Sequence, residues 1–281
     1  MTTSPHPRGP GPAMIARPFG RTGVRVSVVG QGTWGMGELR TAEKREIAAL
    51  RLGIELGMTH IDTAEMYADG GAERVVAKAV RGRREQVFLA TKVLPKNASY
   101  AGTIEACERS LRRLGTDHVD LYLLHWWSDR HPIGETMRAM DELVRRGLTR
   151  FAGVSNLDVP QMRQAQAALG REHLACNQML YHLRDRNVER EVLPWCERQK
   201  VAVVGYTPLA RGGYMKAGAV AAVAKARGVT PRQVTLNFLT RRPALFTIPK
   251  AGDPEHVREN AAALAFTLTR EEIGLLEGRR A

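Results

Sequence analysis

The sequence predicts an α/β fold, a closed (β/α)8 or TIM barrel, and three observations support this prediction. Short apolar runs without strict alternation recur along the chain, as expected for parallel strands buried on both faces. Amphipathic segments with helical periodicity separate these runs. Eight such strand–helix units, averaging about 30 residues, fill the chain, and this number is typical of a closed barrel.

The alternative is an open, doubly wound sheet that binds a dinucleotide after its first strand. That fold usually carries a G-x-G-x-x-G fingerprint at this position. Here the first strand runs into the sequence Gly32-Thr33-Trp34-Gly35-Met36-Gly37, whose glycine spacing does not match the fingerprint. The barrel is therefore favoured. Its eight strands are predicted at residues 26–33, 60–62, 87–91, 119–124, 151–154, 174–176, 201–204 and 245–248.

Helix signals fall between these strands. The first helix is predicted from about Thr41 to Gly57, where Ile47, Leu50 and Ile54 form its apolar stripe. Another apolar stripe, which ends at Leu114, stops at Gly115, a residue that favours helix termination. Further helices are predicted to begin at Asp158-Val159-Pro160 and at Asp253-Pro254, because aspartate caps helices and proline fits their first turn.

The N-terminal region divides into two parts. Residues 1–14 are rich in Pro, Gly, Ser and Thr and lack the apolar stretch of a secretion signal, so we expect a disordered leader. Residues 15–281 are predicted to form a single barrel domain. Within it, the turn Gly20-Arg21-Thr22-Gly23 predicts a short β-hairpin over residues 17–29, which we expect to close the bottom of the barrel.

Composition narrows the possible partners and location. The net charge of +13 is spread over separate basic pairs, with no run of five or six like charges, so nucleic-acid binding is not expected. No apolar run approaches the roughly 18 residues of a membrane span. Three widely spaced cysteines without a CxxC pair argue against a metal site or disulfide framework. We expect a soluble, cytoplasmic protein; the sequence leaves its oligomeric state open, and a monomer is possible.

Four polar residues at strand ends are the candidate catalytic group. Asp62, Lys92 and His125 end three consecutive predicted strands, and Tyr67 lies in the loop after Asp62. Each residue alone has an ordinary structural explanation, but the carboxyl ends of barrel strands converge on one mouth. A lysine buried there needs a partner, and Asp62 is the nearest carboxylate by topology.

This group makes chemical sense as an acid catalyst. A free tyrosine has a pKa near 10, too high for efficient proton exchange at neutral pH. We expect the ammonium of Lys92 to lower the pKa of Tyr67, with Asp62 holding Lys92 in place and charged. His125 would hydrogen-bond the substrate carbonyl. The group would thus protonate an alkoxide as it forms.

The motifs that carry these residues resemble those of the aldo-keto reductase family, in a short member of prokaryotic type. They are Asp62-Thr63-Ala64-x-x-Tyr67, Thr91-Lys92 and Leu123-Leu124-His125-Trp126, followed by Gly153-Val154-Ser155-Asn156, Asn177-Gln178, Tyr206-Thr207-Pro208-Leu209, Ile248-Pro249-Lys250 and Glu259-Asn260. The resemblance implies an oxidoreductase in which NADPH reduces aldehydes and ketones to alcohols, with Tyr67 as general acid. An alternative is a nonenzymatic NADPH-binding regulator, similar to the β-subunits of potassium channels.

The resemblance also implies a cofactor site. Ser155, Asn156 and Gln178 would bind the nicotinamide carboxamide, and Tyr206 would stack on the nicotinamide ring. The remaining assignments are the pyrophosphate for Thr207 and Leu209, the 2′-phosphate for Lys250, and the adenine for His256, Glu259 and Asn260. Ala251 and His256 depart from the family pattern, where Ser and Arg are common, so NADH use is possible and the preference for NADPH is expected to be smaller.

At the substrate end, Trp34 follows the first strand and Trp126 follows His125. Aromatic walls suit an apolar or aromatic carbonyl compound. The predicted partner is therefore a small-molecule carbonyl substrate, whose identity the sequence leaves open.

Overall fold

The computed structural model describes residues 14–170, 172–210 and 218–278. Eight parallel strands of the described chain are paired in sequence order. The sheet closes on itself through a parallel bridge between Val29 and Thr247, where Gly30 N donates to Thr247 O at 2.8 Å and Thr247 N donates to Val28 O at 2.9 Å. The predicted closed barrel is confirmed.

The barrel strands are β3 (Gln31–Gly32), β4 (His60–Asp62), β5 (Phe88–Val93), β6 (Val119–Leu124), β7 (Thr149–Ser155), β8 (Cys176–Leu180), β9 (Ala202–Tyr206) and β10 (Leu245–Thr247). The helices of the described chain are α1 (Glu43–Glu55), α2 (Gly71–Val80), α3 (Tyr100–Leu114), α4 (Ile133–Arg145), α5 (Val159–Ala168), α6 (Val192–Gln199), α7 (Gly218–Arg227), α8 (Pro231–Leu239), α9 (Pro254–Ala261) and α10 (Arg270–Leu276). Two helices, α7 and α8, separate β9 from β10.

Side-chain caps explain why several helices begin where they do. The carboxylate of Asp158 accepts a hydrogen bond from Gln161 N at 2.8 Å at the start of α5, as the sequence predicts. Thr230 makes the same kind of cap on α8. At the other end of α3, Gly115 has a φ of 65°, a left-handed conformation that glycine adopts without steric cost.

The predicted N-terminal hairpin consists of β1 (Ala16–Pro18) and β2 (Arg25–Ser27), and it closes the barrel bottom. Phe19 in its turn is fully buried, and its ring centroid lies 5.1 Å from that of Phe88 and 5.0 Å from that of Phe246. Gly20 follows with a φ of 57°, and a Cβ there would meet the carbonyl oxygen of Lys200 at 2.7 Å. The hairpin thus packs tightly across the amino ends of the strands.

The hydrophobic core has two main layers. Inside the barrel, Phe19, Val26 and Val28 from the hairpin pack against the inward side chains of the strands. A larger layer lies between the sheet and the surrounding helices, with Tyr122 and Leu124 among its buried strand residues. Because both faces of the strands are covered, their sequences are nearly continuous apolar runs.

The structure corrects two predicted strand boundaries. The leader over residues 1–14 stays a prediction, since residues 1–13 lie outside the described chain; Met14 itself is half-buried against the core. The predicted first strand, 26–33, divides between hairpin strand β2 and barrel strand β3. The predicted sixth strand does not end at residue 176; β8 continues to Leu180 because its polar residues, Asn177 and Gln178, find partners at the barrel mouth.

Candidate active site

Four candidate catalytic residues meet at the carboxyl end of the barrel. Asp62 is the last residue of β4, Lys92 lies near the end of β5, and His125 follows β6 directly. Tyr67 lies in the turn between β4 and α2, and its ring is edge-on to the ring of His125, with 5.8 Å between the centroids. Three neighbouring strands therefore place these side chains around one point.

A buried ion pair forms the floor of this site. The Nζ atom of Lys92 donates to Asp62 Oδ1 at 2.6 Å and to the carbonyl oxygen of Thr63 at 2.8 Å. Gln178 Nε2 donates to the second carboxylate oxygen of Asp62 at 2.7 Å. Lys92 is completely buried and Asp62 nearly so, hence each charge depends on these partners for its stability.

The ion pair keeps Lys92 protonated. Burial alone would lower the pKa of Lys92, but the charges of Asp62 and Tyr67, and hydrogen bonds to both, raise it above its ordinary value. The Nζ atom lies 5.1 Å from the centroid of the Tyr67 ring. The site therefore holds a fixed positive charge beside the tyrosine hydroxyl.

The predicted lowering of the Tyr67 pKa is wrong for the site without ligands. Burial raises this pKa, and although Lys92 lowers it as expected, the negative charge of Asp62 raises it again, so the net shift is upward. The ammonium of Lys92 can be read from the sequence, but the desolvation of the phenolate depends on burial, which only the folded structure sets. Tyr67 consequently holds its proton firmly at neutral pH.

His125 is a neutral imidazole. Burial, followed by the positive charge of Lys92, lowers the pKa of His125 to about 3. Its Nδ1 atom is buried and has no hydrogen-bond partner among the described residues. At neutral pH this ring can donate or accept a hydrogen bond, but it carries no charge.

The side chains predicted to bind a nicotinamide carboxamide form one hydrogen-bonded network beside the ion pair. Ser155 Oγ donates to the carbonyl oxygen of Gln178 at 2.8 Å, and Asn156 Nδ2 donates to the carbonyl oxygen of His125 at 3.1 Å. Tyr206 donates its hydroxyl proton to Asn156 Oδ1 at 2.9 Å. The network fixes the orientation of these groups, and Asn156 adopts a left-handed φ of 61° to join it.

These residues line a cavity of about 650 Å³ at the barrel mouth. Of the predicted site residues, the structure brings to its wall Trp34, Asp62, Tyr67, His125, Trp126, Ser155, Asn156, Gln178, Tyr206, Thr207, Leu209 and Lys250. Lys92 lies beneath this wall, behind Asp62. The two tryptophans are exposed, Trp34 by 60% and Trp126 by 37%, so the substrate end is open to solvent.

Besides Lys92, three residues predicted to bind the cofactor do not belong to the described cavity wall. His256 lies exposed on α9, and Asn260 is buried with its Oδ1 atom lacking a partner among the described residues. Glu259 forms an ion pair with Arg232, at 2.8 Å between Oε2 and Nε, and Arg232 does line the cavity. The cofactor roles of these three residues remain predictions.

Arg232 was missed by the sequence analysis, although a signal for it exists. It is the second residue of α8, directly after the Thr230-Pro231 helix start. Cations are unfavourable in the first turn of a helix because the amino end of the helix dipole is positive. An arginine at this position therefore indicates a specific partner or ligand.

The backbone N–H groups at the amino end of α9 are occupied by the side chain of the capping residue. The side chain of Asp253 accepts hydrogen bonds from Glu255 N at 2.8 Å and from His256 N at 3.4 Å. These backbone groups are the ones that would otherwise bind an anion. Because Asp253 occupies them with a carboxylate, recognition of a phosphate here depends on side-chain cations.

The described residues hold no group of three or more His, Cys, Asp or Glu side chains that could bind a metal ion. In the same part of the chain, no helix is long and apolar enough to cross a bilayer.

The comparisons with known proteins agree with this geometry. Residues 28–280 match the profile of the Aldo/keto reductase family. The chain is 48% identical to "Methylglyoxal reductase YeaE" of Escherichia coli K12, covering 90% of this chain and 91% of that protein, and 32% identical to "Methylglyoxal reductase DkgB" of Escherichia coli O157:H7, covering 85% and 89%. An aldo-keto reductase from Klebsiella pneumoniae, solved in complex with NADPH, superposes with a TM-score of 0.88 at 46% identity over 95% of each chain.

The predicted family, fold and enzyme class are thus confirmed, since the profile match spans the barrel and the relatives, matched over most of their length, are named as reductases. The chain belongs to the aldo/keto reductase family and is an oxidoreductase of aldehydes and ketones.

Proposed function

We propose that this protein reduces small, unhindered carbonyl compounds, foremost 2-oxo aldehydes such as methylglyoxal, to alcohols with NADPH. The observation that carries the proposal is the Tyr67 hydroxyl beside the buried Lys92–Asp62 pair on the floor of an open cavity. The names of two relatives, which are methylglyoxal reductases, and the NADPH in the Klebsiella structure support the choice of substrate and cofactor.

The cavity suits a nicotinamide dinucleotide in size and in the distribution of its charges. Its volume lies within the range of about 300–1,000 Å³ that is usual for ligand sites. Amide groups and Tyr206 lie beside the catalytic residues, while Lys250 and Arg232 are the cations on the wall formed by described residues. This arrangement fits a ligand with a neutral ring at one end and phosphates at the other.

Bound NADPH supplies the hydride that adds to the carbonyl carbon. Tyr67 then serves as the general acid: its O–H bond breaks, and the proton passes to the carbonyl oxygen, which becomes the alcohol hydroxyl. The phenolate left on Tyr67 lies beside the ammonium of Lys92, held in place by Asp62 and Thr63. Lys92 therefore stabilises the charge that appears only as the proton leaves.

The pKa shifts favour Tyr67 over His125 as the acid. Burial and the charge of Lys92 lower the pKa of His125 to about 3, so its ring is neutral at pH 7 and is a poor source of the proton. Tyr67, whose pKa is raised, holds its proton until the developing alkoxide takes it. His125 is left to orient the carbonyl oxygen by a hydrogen bond.

The substrate end favours small compounds without tight selection. Trp34 and Trp126 form flat apolar walls, and both are partly exposed to solvent. Flat aromatic walls with few polar groups hold an aldehyde by contact and leave orientation to the catalytic pair. We expect methylglyoxal and other small aldehydes to be turned over, with modest differences among them.

The experiment is a comparison of NADPH oxidation by the wild type and by Tyr67→Phe, with methylglyoxal and a panel of aldehydes. We expect turnover by the wild type and a loss of about 10²- to 10⁴-fold in the variant, because the general acid is gone. The NADPH dissociation constant should stay within about threefold. The matched control, Tyr100→Phe, removes a hydroxyl from an exposed tyrosine on α3, outside the cavity, and should change neither quantity.

Two outcomes would contradict the proposal. Wild-type turnover by Tyr67→Phe would exclude Tyr67 as the acid. If the wild type binds NADPH tightly but no aldehyde of the panel causes NADPH oxidation, the nonenzymatic regulatory role is favoured.

The same proposal includes a cytoplasmic location and a small-molecule substrate, without nucleic-acid or membrane partners. The three cysteines are unpaired and buried, which is typical of proteins from a reducing compartment. Fractionation of cells that express the tagged full-length chain tests the location, and recovery in the membrane fraction would contradict it.

A further inference from the structure

We infer that Arg232 is a specificity-determining residue of the cofactor site, where its guanidinium pairs with the 2′-phosphate of NADPH together with Lys250. The inference rests on the proposed function for the identity of the cofactor. It concerns how this chain distinguishes NADPH, which carries that phosphate, from NADH, which lacks it.

The first argument is the charge distribution of the cavity wall. Among the described lining residues, the cations are Lys250, in the segment between β10 and α9, and Arg232, on α8, whereas the buried carboxylate of Asp62 ends β4. Asp62 is already neutralised by Lys92. The cavity wall therefore presents uncompensated positive charge at Lys250, and an anionic ligand group is the natural partner for it.

The second argument is the way in which Arg232 is held. Its Nε atom is paired with Glu259 Oε2 at 2.8 Å, and the two side chains are largely buried, with 14% and 22% exposed. The ion pair holds the Arg232 side chain between Glu259 and the cavity wall that it lines. A guanidinium group has further N–H groups beyond Nε, and these bind a phosphate in a bidentate manner.

The third argument is that other candidates for the phosphate are occupied or distant. The side chain of Asp253 accepts hydrogen bonds from backbone N–H groups at the start of α9, and the side chain of Thr230 accepts one at the start of α8. His256, which the family resemblance places at the adenine, is exposed and outside the described cavity wall. Among the described residues of the cavity wall, Lys250 and Arg232 remain as cations. The Nζ atom of Lys250 lies 3.9 Å from where a Cβ of Gly252 would be.

The competing explanation is that the Arg232–Glu259 pair only ties α8 to α9. A tether would contribute to the stability of the fold and would affect both cofactors alike. A phosphate contact would affect NADPH and leave NADH nearly unchanged. The difference between the two dissociation constants separates these roles.

The test measures the dissociation constants of NADPH and NADH for the wild type and for Arg232→Ala, by calorimetry or protein fluorescence. We expect NADPH binding to weaken about 10- to 100-fold, since a charged hydrogen-bonded contact is lost, and NADH binding to weaken less than about threefold. Binding of adenosine 2′,5′-bisphosphate, compared with 5′-ADP, should show the same selective loss without the nicotinamide.

The matched control is Arg227→Ala. Arg227 forms a similar ion pair with Glu272, at 2.6 Å between Nε and Oε1, outside the described cavity wall. This variant should change neither dissociation constant. Thermal unfolding is recorded for each protein, and if Arg232→Ala does not fold, Arg232→Lys replaces it, with an expected weakening of NADPH binding of about three- to tenfold.

Equal losses for NADPH and NADH, or no loss for either, would overturn the inference and leave a helix tether. A wild type that binds NADPH selectively, but reduces no aldehyde, would overturn the proposed function and leave the role of Arg232 to be decided by the same titrations. A wild type that binds neither dinucleotide would overturn both.

Discussion

Replacing Lys92 by methionine is the sharpest test of how this site stabilises charge. The substitution keeps the length of the side chain and removes the ammonium. With the Lys92 Nζ atom 5.1 Å from the Tyr67 ring centroid, the attraction to a phenolate is about 3 kcal/mol at an effective dielectric constant of about 20. That energy corresponds to about a 200-fold lower kcat if the phenolate is fully formed in the transition state.

The assay is steady-state NADPH oxidation with methylglyoxal, together with direct titration of NADPH. We expect kcat to fall about 10²- to 10³-fold while the NADPH dissociation constant changes less than about threefold, because Lys92 lies behind Asp62 and not on the described cavity wall. Removing the ammonium also leaves the Asp62 carboxylate buried with only Gln178 as a described partner, which lowers stability by about 3–5 kcal/mol.

Two further variants separate chemistry from folding. Lys92→Met combined with Asp62→Asn removes both charges, so it should recover part of the stability but none of the turnover. Lys78→Met breaks an exposed ion pair with Glu43 of the same 2.6 Å length and should leave kcat and stability almost unchanged. Wild-type kcat in a folded Lys92→Met protein would refute the electrostatic argument.

Two predictions concern pH. The kcat/KM of the wild type should be constant from about pH 5 through neutrality and fall only above pH 10. The raised pKa of Tyr67 keeps this acid protonated, and His125, with a pKa of about 3, is neutral over the whole range. A loss of activity centred near neutral pH would contradict these assignments. His60 is fully buried, and both of its ring nitrogens lack a partner among the described residues. Burial lowers its pKa from an ordinary value of 6.5 to about 4, so the folded protein holds the neutral ring. The stabilisation from this neutral ring is complete above pH 6.5 and is lost as the pH falls toward 4. When the pH is lowered from 7 to 5, the free energy of unfolding measured in urea should fall by about 2 kcal/mol more for the wild type than for His60→Leu. Equal decreases in the two proteins would contradict this dependence on His60.

Parts of the site followed from local sequence because strand ends carry their own signals. Asp62, Lys92 and His125 each follow an apolar run, and the topology of a closed barrel brings the ends of neighbouring strands together. Helix starts at Asp158 and Asp253 were likewise predictable, since capping depends on a few adjacent residues. The same locality explains the hairpin, whose turn needs glycine at specified backbone angles.

Two features needed the tertiary structure, because they depend on distance and burial. The direction of the Tyr67 pKa shift results from the balance between desolvation and the charges of Lys92 and Asp62, and no sequence pattern measures that balance. The capture of the α9 backbone by Asp253 was hidden in a residue that the sequence identified only as a helix start.

The position of Arg232 shows the distinction most clearly. By itself the sequence determined the barrel, the order of its strands and the three candidate residues near the strand ends, since these follow from periodicity and from the polar residues that end apolar runs. Only the tertiary structure placed an arginine from α8 against Glu259 of α9, 27 residues along the chain, at the wall of the cavity. Ion pairs between helices depend on how the helices pack, and packing is a property of the whole fold.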